Sequence, residues 1–316
     1  TNSMHIVRIG VVLGLVVAAS ACGGEDDAAT TTVETPVTAT APTTESTALP
    51  STTSDTVPAT IELVPTTTES APTTTGPTMV DVRVYLLRGE RLAIEHRGTA
   101  GPAVLRGALT ELLAGPSADE ANDGVSTTIP AGTSLRSVNL TDRIATVDLS
   151  GEFATGGGSA SMLARVAQVV FTATQFDNVD AVQFWLDGAP IDDLGGEGIV
   201  LDEPQTRSDV PRDLTGGILF DLREPGSTVT SPFTVTGEGD VFEGDFTLQI
   251  RRDGVQLGDT LIVRAGAWGE WADFAATVTV DADPGPIEIV AVDQSGCGPP
   301  DCPPPGEIVI PVTLAR

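Results

Sequence analysis

The chain has 316 residues, of which 44 are acidic and 16 basic, for a formal net charge of −28 at neutral pH. That balance argues against phosphate backbones and anionic lipid surfaces as partners, because both would be repelled. Every basic residue is arginine, so Ser-Lys chemistry is excluded, and the lysine-free, Ala/Gly/Val/Thr-rich composition is of the actinobacterial, GC-rich type.

Met4 to Cys22 reads MHIVRIGVVLGLVVAASAC. His5 and Arg8 precede the apolar run Ile9–Ala19, and small residues then lead into a cysteine. A short positive region, an apolar stretch too short to span comfortably and a small-residue site make a secretory signal at 4–21. A cysteine placed first after such a site can carry a diacylglyceryl anchor. We therefore read Cys22 as a lipidation site, holding an exported protein on the outer face of the cytoplasmic membrane. An uncleaved membrane anchor is the competing reading. Residues 22–78 are Thr, Pro, Ala, Ser and Glu with almost no aromatic side chain, and cannot bury enough apolar surface to offset ordering entropy. They are expected to form a disordered stalk, with ends roughly 40 Å apart as a random coil and about 170 Å apart if polyproline-like.

Order is expected from residue 79. Val82, Val84 and Leu86 alternate with polar neighbours and turn at Gly89 into Leu92-Ala93-Ile94, a β-hairpin with one buried face. Leu105, Leu109, Leu112 and Leu113 then recur at helical spacing, closed by Gly115-Pro116. Strands at 134–140 and 144–149, a helix over about 160–174 and a strand at 179–186 follow. The order β-β-α-β-β-α-β over 79–203 predicts an α+β domain with a mostly antiparallel sheet and two helices. A polar, proline-containing hinge at 204–217 leads into 218–316. There, seven short strands separated by Gly, Pro and Asp fit an all-β immunoglobulin-like sandwich.

Several blocks in this order resemble the GerMN domain of bacterial spore-germination and envelope lipoproteins. They are Leu112-Leu113-Ala114-Gly115-Pro116, Ile129-Pro130, Gly132-Thr133 and Val147-Asp148-Leu149-Ser150-Gly151-Glu152-Phe153. Gln168, Thr172, Thr174-Gln175-Phe176, Val182, Phe184 and Asp187-Gly188 complete the match. Pro225-Gly226, Ser231-Pro232, Val235, Gly237, Phe242-Glu243-Gly244 and the Trp271 region resemble the immunoglobulin-like domain that accompanies GerMN. The resemblance implies an exported accessory or interaction protein and brings no catalytic residue with it. On their own terms, Asp148 and Glu152 are expected to satisfy loose backbone N–H groups. Phe176 is expected to plug the core, and Gln175 to bond a neighbouring backbone group.

Chemistry is sparse. The histidines are His5, in the signal, and His96, on the hairpin; a nucleophile has no evident base. No zinc spacing, phosphate loop or EF-hand loop occurs, so no cofactor is assigned. Asp187, Asp192, Asp193, Glu197, Asp202 and Glu203 crowd one region, which we read as a solvated face. Cys297 and Cys302 flank Gly-Pro-Pro-Asp and are expected to form a disulfide in an exported compartment. Trp268 and Trp271 lie three apart around a turn, one for the core and one for contact; Trp271 with Phe242 and Glu243 is the candidate interaction patch. The leading expectation is a non-enzymatic lipoprotein. It would present two interaction modules to an envelope protein or a cell-wall polymer, with membrane contact through the lipid and no nucleic-acid partner. A carboxylate-dependent cell-wall hydrolase and a solute- or ion-binding lipoprotein remain the alternatives.

Overall fold

A computed structural model describes residues 78–195, 198–221, 226–293 and 306–316. The signal, Cys22, the stalk as far as residue 77, Glu197, and the Cys297 and Cys302 pair lie outside these residues. Strands β1 (Met79–Arg88) and β2 (Arg91–Ala100) pair antiparallel along their full length, with Met79 opposite Ala100. Only one face of this hairpin is expected from the alternation, yet both are buried. Val84 and Leu86 enter the first core, while Tyr85 and Leu87 enter a separate cluster on the other side. The uninterrupted Val84-Tyr85-Leu86-Leu87 run reflects this double burial.

Helix α1 (Val104–Ala114) buries Ala108, Leu109 and Leu112 and stops at Gly115, whose φ of 74° suits glycine. The short α2 (Ala118–Asn122) starts from a Ser117–Glu120 capping box. β3 (Val125–Ser126) adds to β1. β4 (Leu135–Thr141) and β5 (Ile144–Leu149) are joined through Asp142 and Arg143, both at positive φ as a two-residue hairpin turn requires. A 3-10 turn at Gly151–Ala154 and helix α3 (Ser159–Ala173) then carry the chain over to β6 (Ala181–Leu186). This crossover lets β6 run parallel to β5 in a module that is otherwise antiparallel. β7 (Ala189–Pro190), β8 (Asp193–Leu194) and β9 (Ile199–Val200) complete it. Its strands fall into two principal sheets, β2-β1-β3 and β4-β5-β6-β7, rather than one. Leu112, Val147, Val170 and Phe184, drawn from both helices and the larger sheet, share one core with Val84 and Leu86.

The polar segment 204–217 is built from a 3-10 turn at Arg207–Asp209 and helix α4 (Arg212–Thr215). Beyond it the strands are β10 (Ile218–Phe220), β11 (Thr228–Thr230), β12 (Phe233–Val241), β13 (Asp245–Arg252) and β14 (Val255–Arg264). They are followed by β15 (Gly266–Ala267), β16 (Ala272–Val278), β17 (Gly285–Val292) and β18 (Glu307–Ala315). One sheet contains β10, β12, β15 and β16; the other runs β11-β18-β17-β13-β14. β10 pairs antiparallel with β12 and β11 parallel with β18, so consecutive short strands serve opposite sheets. Val235, Leu248, Ile250, Ile289 and Ala291 fill the space between them, and Phe274 meets Phe220 and Phe246 edge-on. Among the described residues no helix is long and apolar enough to cross a membrane.

Candidate functional site at the module junction

The edge of β1 not paired with β2 is served by side chains of α3 and the residues just after it. Gln175 accepts from Arg83 N–H at 2.8 Å and donates to Arg83 C=O at 2.7 Å. Thr172 Oγ1 accepts from Tyr85 N–H at 3.1 Å, and Gln168 Nε2 donates to Tyr85 C=O at 3.2 Å. These three residues, spaced four and three apart, form a stripe that replaces a missing strand. They hold the hairpin in register for its second task, which is to receive the C-terminal module.

That contact has an apolar centre. Tyr85, Leu87, Leu92 and Ile94 of the hairpin and Phe171 of α3 meet Leu219 of β10, with Val210, Leu214 and Trp271 packed against them. Trp271 stands edge-on to Phe171 with ring centroids 5.0 Å apart. Charged groups frame it. The Arg207 guanidinium lies 4.6 Å over the Phe171 ring, donates to Thr174 Oγ1 and Phe171 C=O, and meets Glu238 Oε2 at 2.7 Å. Its place at the last carbonyls of α3 also suits the helix dipole. Burial works against its charge, but Glu238 and the Tyr85 oxygen outweigh it and hold the Arg207 pKa above its ordinary value. Arg83 reaches Asp273 at 2.8 Å, Asp221 at 3.3 Å and Glu238 at 3.6 Å. Arg212 bonds Asp240 C=O at 2.7 Å and Asp293 at 2.5 Å. The segment expected to be a hinge thus supplies two of the three arginines that frame the second module.

The modules leave a groove of about 410 Å³ lined by Leu92, Ile94, Ile218, Phe220, Ile308 and Ile310, with Arg88, Arg91, Glu95 and Glu307 among its polar groups. A smaller polar hollow of about 300 Å³ lies at Glu95, His96, Asp119, Glu120 and Asp123. Burial, reinforced by Glu120, pushes the Glu95 carboxyl up. Glu120 is driven the other way: burial opposes ionisation, but Arg97 and Ser117 overcome it. Both Glu120 oxygens are engaged, by Arg97 at 2.6 Å each and by Ser117 N–H at 2.7 Å. Among the described residues no group of three or more His, Cys, Asp or Glu side chains is disposed to hold a metal ion.

A family model described as sporulation and spore germination, Germane, matches residues 83–192. A second, the immunoglobulin-like domain of bacterial spore germination, Gmad2, matches residues 223–297. The chain carries a GerMN domain followed by a spore-germination immunoglobulin-like domain. Among solved structures, the tandem GerMN domains of the sporulation protein GerM from Bacillus subtilis align at 15% identity over 60% of this chain and 62% of theirs, with a TM-score of 0.37. The chain therefore spans less than two thirds of that structure. The first GerMN domain of GerM from Bacillus subtilis aligns at 23% identity over 41% of this chain and 99% of its own, with a TM-score of 0.35. No curated protein matches the chain.

Within the GerMN module, Gln168, Thr172 and Gln175 are the stripe that completes β1, and Phe176 packs against the core. Asp148 accepts from Gly188 N–H at 3.0 Å, tying the end of β5 to the turn after β6. Glu152 lies in the 3-10 turn after β5, its carboxyl lowered by Ser150 and by backbone donation. Asp187, Asp192, Asp193, Asp202 and Glu203 are exposed. In the immunoglobulin-like module, Trp271 belongs to the junction, and it is Trp268 that stands 66% exposed, with Phe242 edge-on at 6.5 Å and Arg212 over its ring. Phe242 is half-buried, and Glu243 is exposed at a φ of 56°. Arg165 gave no sequence signal: it is 3% exposed and donates to the carbonyls of Thr128, Phe153, Thr155 and Gly156. Burial lowers its pKa.

Proposed function

We propose that the chain is a non-enzymatic accessory protein of a sporulation- or germination-type envelope assembly, lipid-anchored at Cys22, that presents its two modules together to an envelope protein or a cell-wall polymer. The junction is the observation that supports this reading most. An apolar cluster framed by Arg83 and Arg207 joins two germination-type modules, as a composite binding surface requires. The test is a photo-crosslinking residue at Trp268 in cells, with fatty-acid labelling of the wild type and Cys22→Ser. Lipid label lost in the variant and a discrete envelope-protein or glycan adduct are expected. Unchanged labelling overturns the anchor. Turnover of purified wall polymer, abolished by Glu95→Gln, overturns the non-enzymatic assignment.

The apolar groove between β2, β10 and β18 favours one second reading, capture of a small apolar solute. In that case an anilinonaphthalene sulfonate dye brightens on binding, and Ile94→Trp, which fills the groove, removes the signal.

A further inference from the structure

We propose that His96 is a pH-operated clasp across the module junction: as an imidazolium it bonds one carboxylate from each module, and its deprotonation frees one of them. Its Nδ1 lies 2.8 Å from Asp81 Oδ2 on β1, and its Nε2 lies 2.5 Å from Asp221 Oδ1, just past β10. An ionised carboxylate only accepts, and a neutral imidazole has a single N–H, so both bonds exist together only in the doubly protonated ring. When the proton leaves to solvent, one ring nitrogen turns its lone pair toward a carboxylate oxygen. Asp221 keeps Arg83 at 3.3 Å, so the seam is weakened at one point and not opened.

The surroundings favour the charged ring. On its own strand His96 is flanked by Glu95 and by Arg97, which donates to the His96 carbonyl. Across the hairpin stand Asp81 and Arg83, and Arg83 is itself committed to Asp221, Asp273 and Glu238. The polar hollow at α2 adds Arg88, Asp119, Glu120 and Asp123. The Asp221 hydrogen bond, working against burial, holds His96 above the usual imidazole range, and Asp81 adds to it. Burial opposes ionisation of Asp221, but His96 and Arg83 hold that carboxyl below its ordinary value. A raised histidine contributes stability that is complete below about pH 6.5, the unfolded value, and is lost as pH climbs through its folded value. The lowered Asp221 contributes above its unfolded value and loses that contribution as pH falls through its folded one. The clasp therefore operates from the acid titration of Asp221 up to that of His96.

The experiment is a histidine side-chain NMR titration of the exported protein, with His96→Gln identifying the His96 signal by its loss. His96 is expected to titrate above about 6.5, and the amides of Leu219 and Phe220, in the other module, to shift with the same midpoint. Asp221→Asn should bring the His96 midpoint down toward the ordinary value. Asp81→Asn, at an exposed partner that does not threaten folding, should lower it by a smaller step. A His96 midpoint at or below about 6.5, one unmoved by Asp81→Asn, or Leu219 and Phe220 amides indifferent to the titration each overturns the proposal.

Discussion

Replacing Arg207 with methionine keeps the packing of the side-chain stem over Phe171 and removes the guanidinium. Glu238, 3% exposed, then loses its 2.7 Å partner and keeps the more distant Arg83 at 3.6 Å. Stripping one member from a buried ion pair costs about 3–5 kcal/mol, because the remaining charge is left without compensation. The lost contact with the Phe171 ring adds about 0.5–2 kcal/mol, and the surviving Arg83 offsets a comparable amount. A net loss of about 3–5 kcal/mol follows. In a folded region of this size that lowers Tm by roughly 6–20 °C, at about 2–4 °C per kcal/mol. Calorimetry or circular dichroism melts of Arg207→Met read it directly. Adding Glu238→Gln to the same protein should recover more than half of the loss, because the orphaned charge is gone. A single variant destabilised by under about 1 kcal/mol, or a double variant no more stable than Arg207→Met, refutes the view that this pair holds the junction.

Thr172→Val is nearly isosteric but leaves the Tyr85 N–H without its acceptor, so urea unfolding should show a loss of about 1–3 kcal/mol. A change within about 0.5 kcal/mol, the ordinary range for a surface site, would mean the α3 stripe does not substitute for a strand. For Cys297 and Cys302, intact exported protein should show no free thiol before reduction, and two reactive thiols would contradict the bridge.

The periodicities locate most of the architecture because they are local. The period-2 runs at 144–149 and 181–186 and the 3.6-period helix at 159–173 each carry their own burial pattern. The second face of the hairpin was also written locally, in the unbroken Val84–Leu87 run, but an alternation template assigns it to solvent. Helix α2 had a local signature too, Ser117 three residues before Glu120. The arginine frame had none. Arg83 meets Asp273 across 190 positions and Arg207 meets Glu238 across 31, so each looks like an ordinary solvated charge until the fold closes. Segment 204–217 reads as a hinge for the same reason, since its polarity is matched by partners far away in sequence. The two tryptophans divide between junction and surface by turn geometry: Gly269 N–H bonds Asp240 and its carbonyl accepts from Ser208, which fixes the turn with Trp268 outward.

Because the outer face of the β1–β2 hairpin is the wall against which the C-terminal module rests, the genetic boundary between the modules is not their physical boundary. An exchange that transplants the immunoglobulin-like module alone carries away Asp221, Glu238 and Asp273 but leaves Arg83 behind. It would also uncover Leu219 and Trp271. A transplanted module therefore keeps these contacts where the recipient hairpin presents a matching arginine and aromatic surface, so the smallest unit that carries the junction intact is the C-terminal module together with the β1–β2 hairpin.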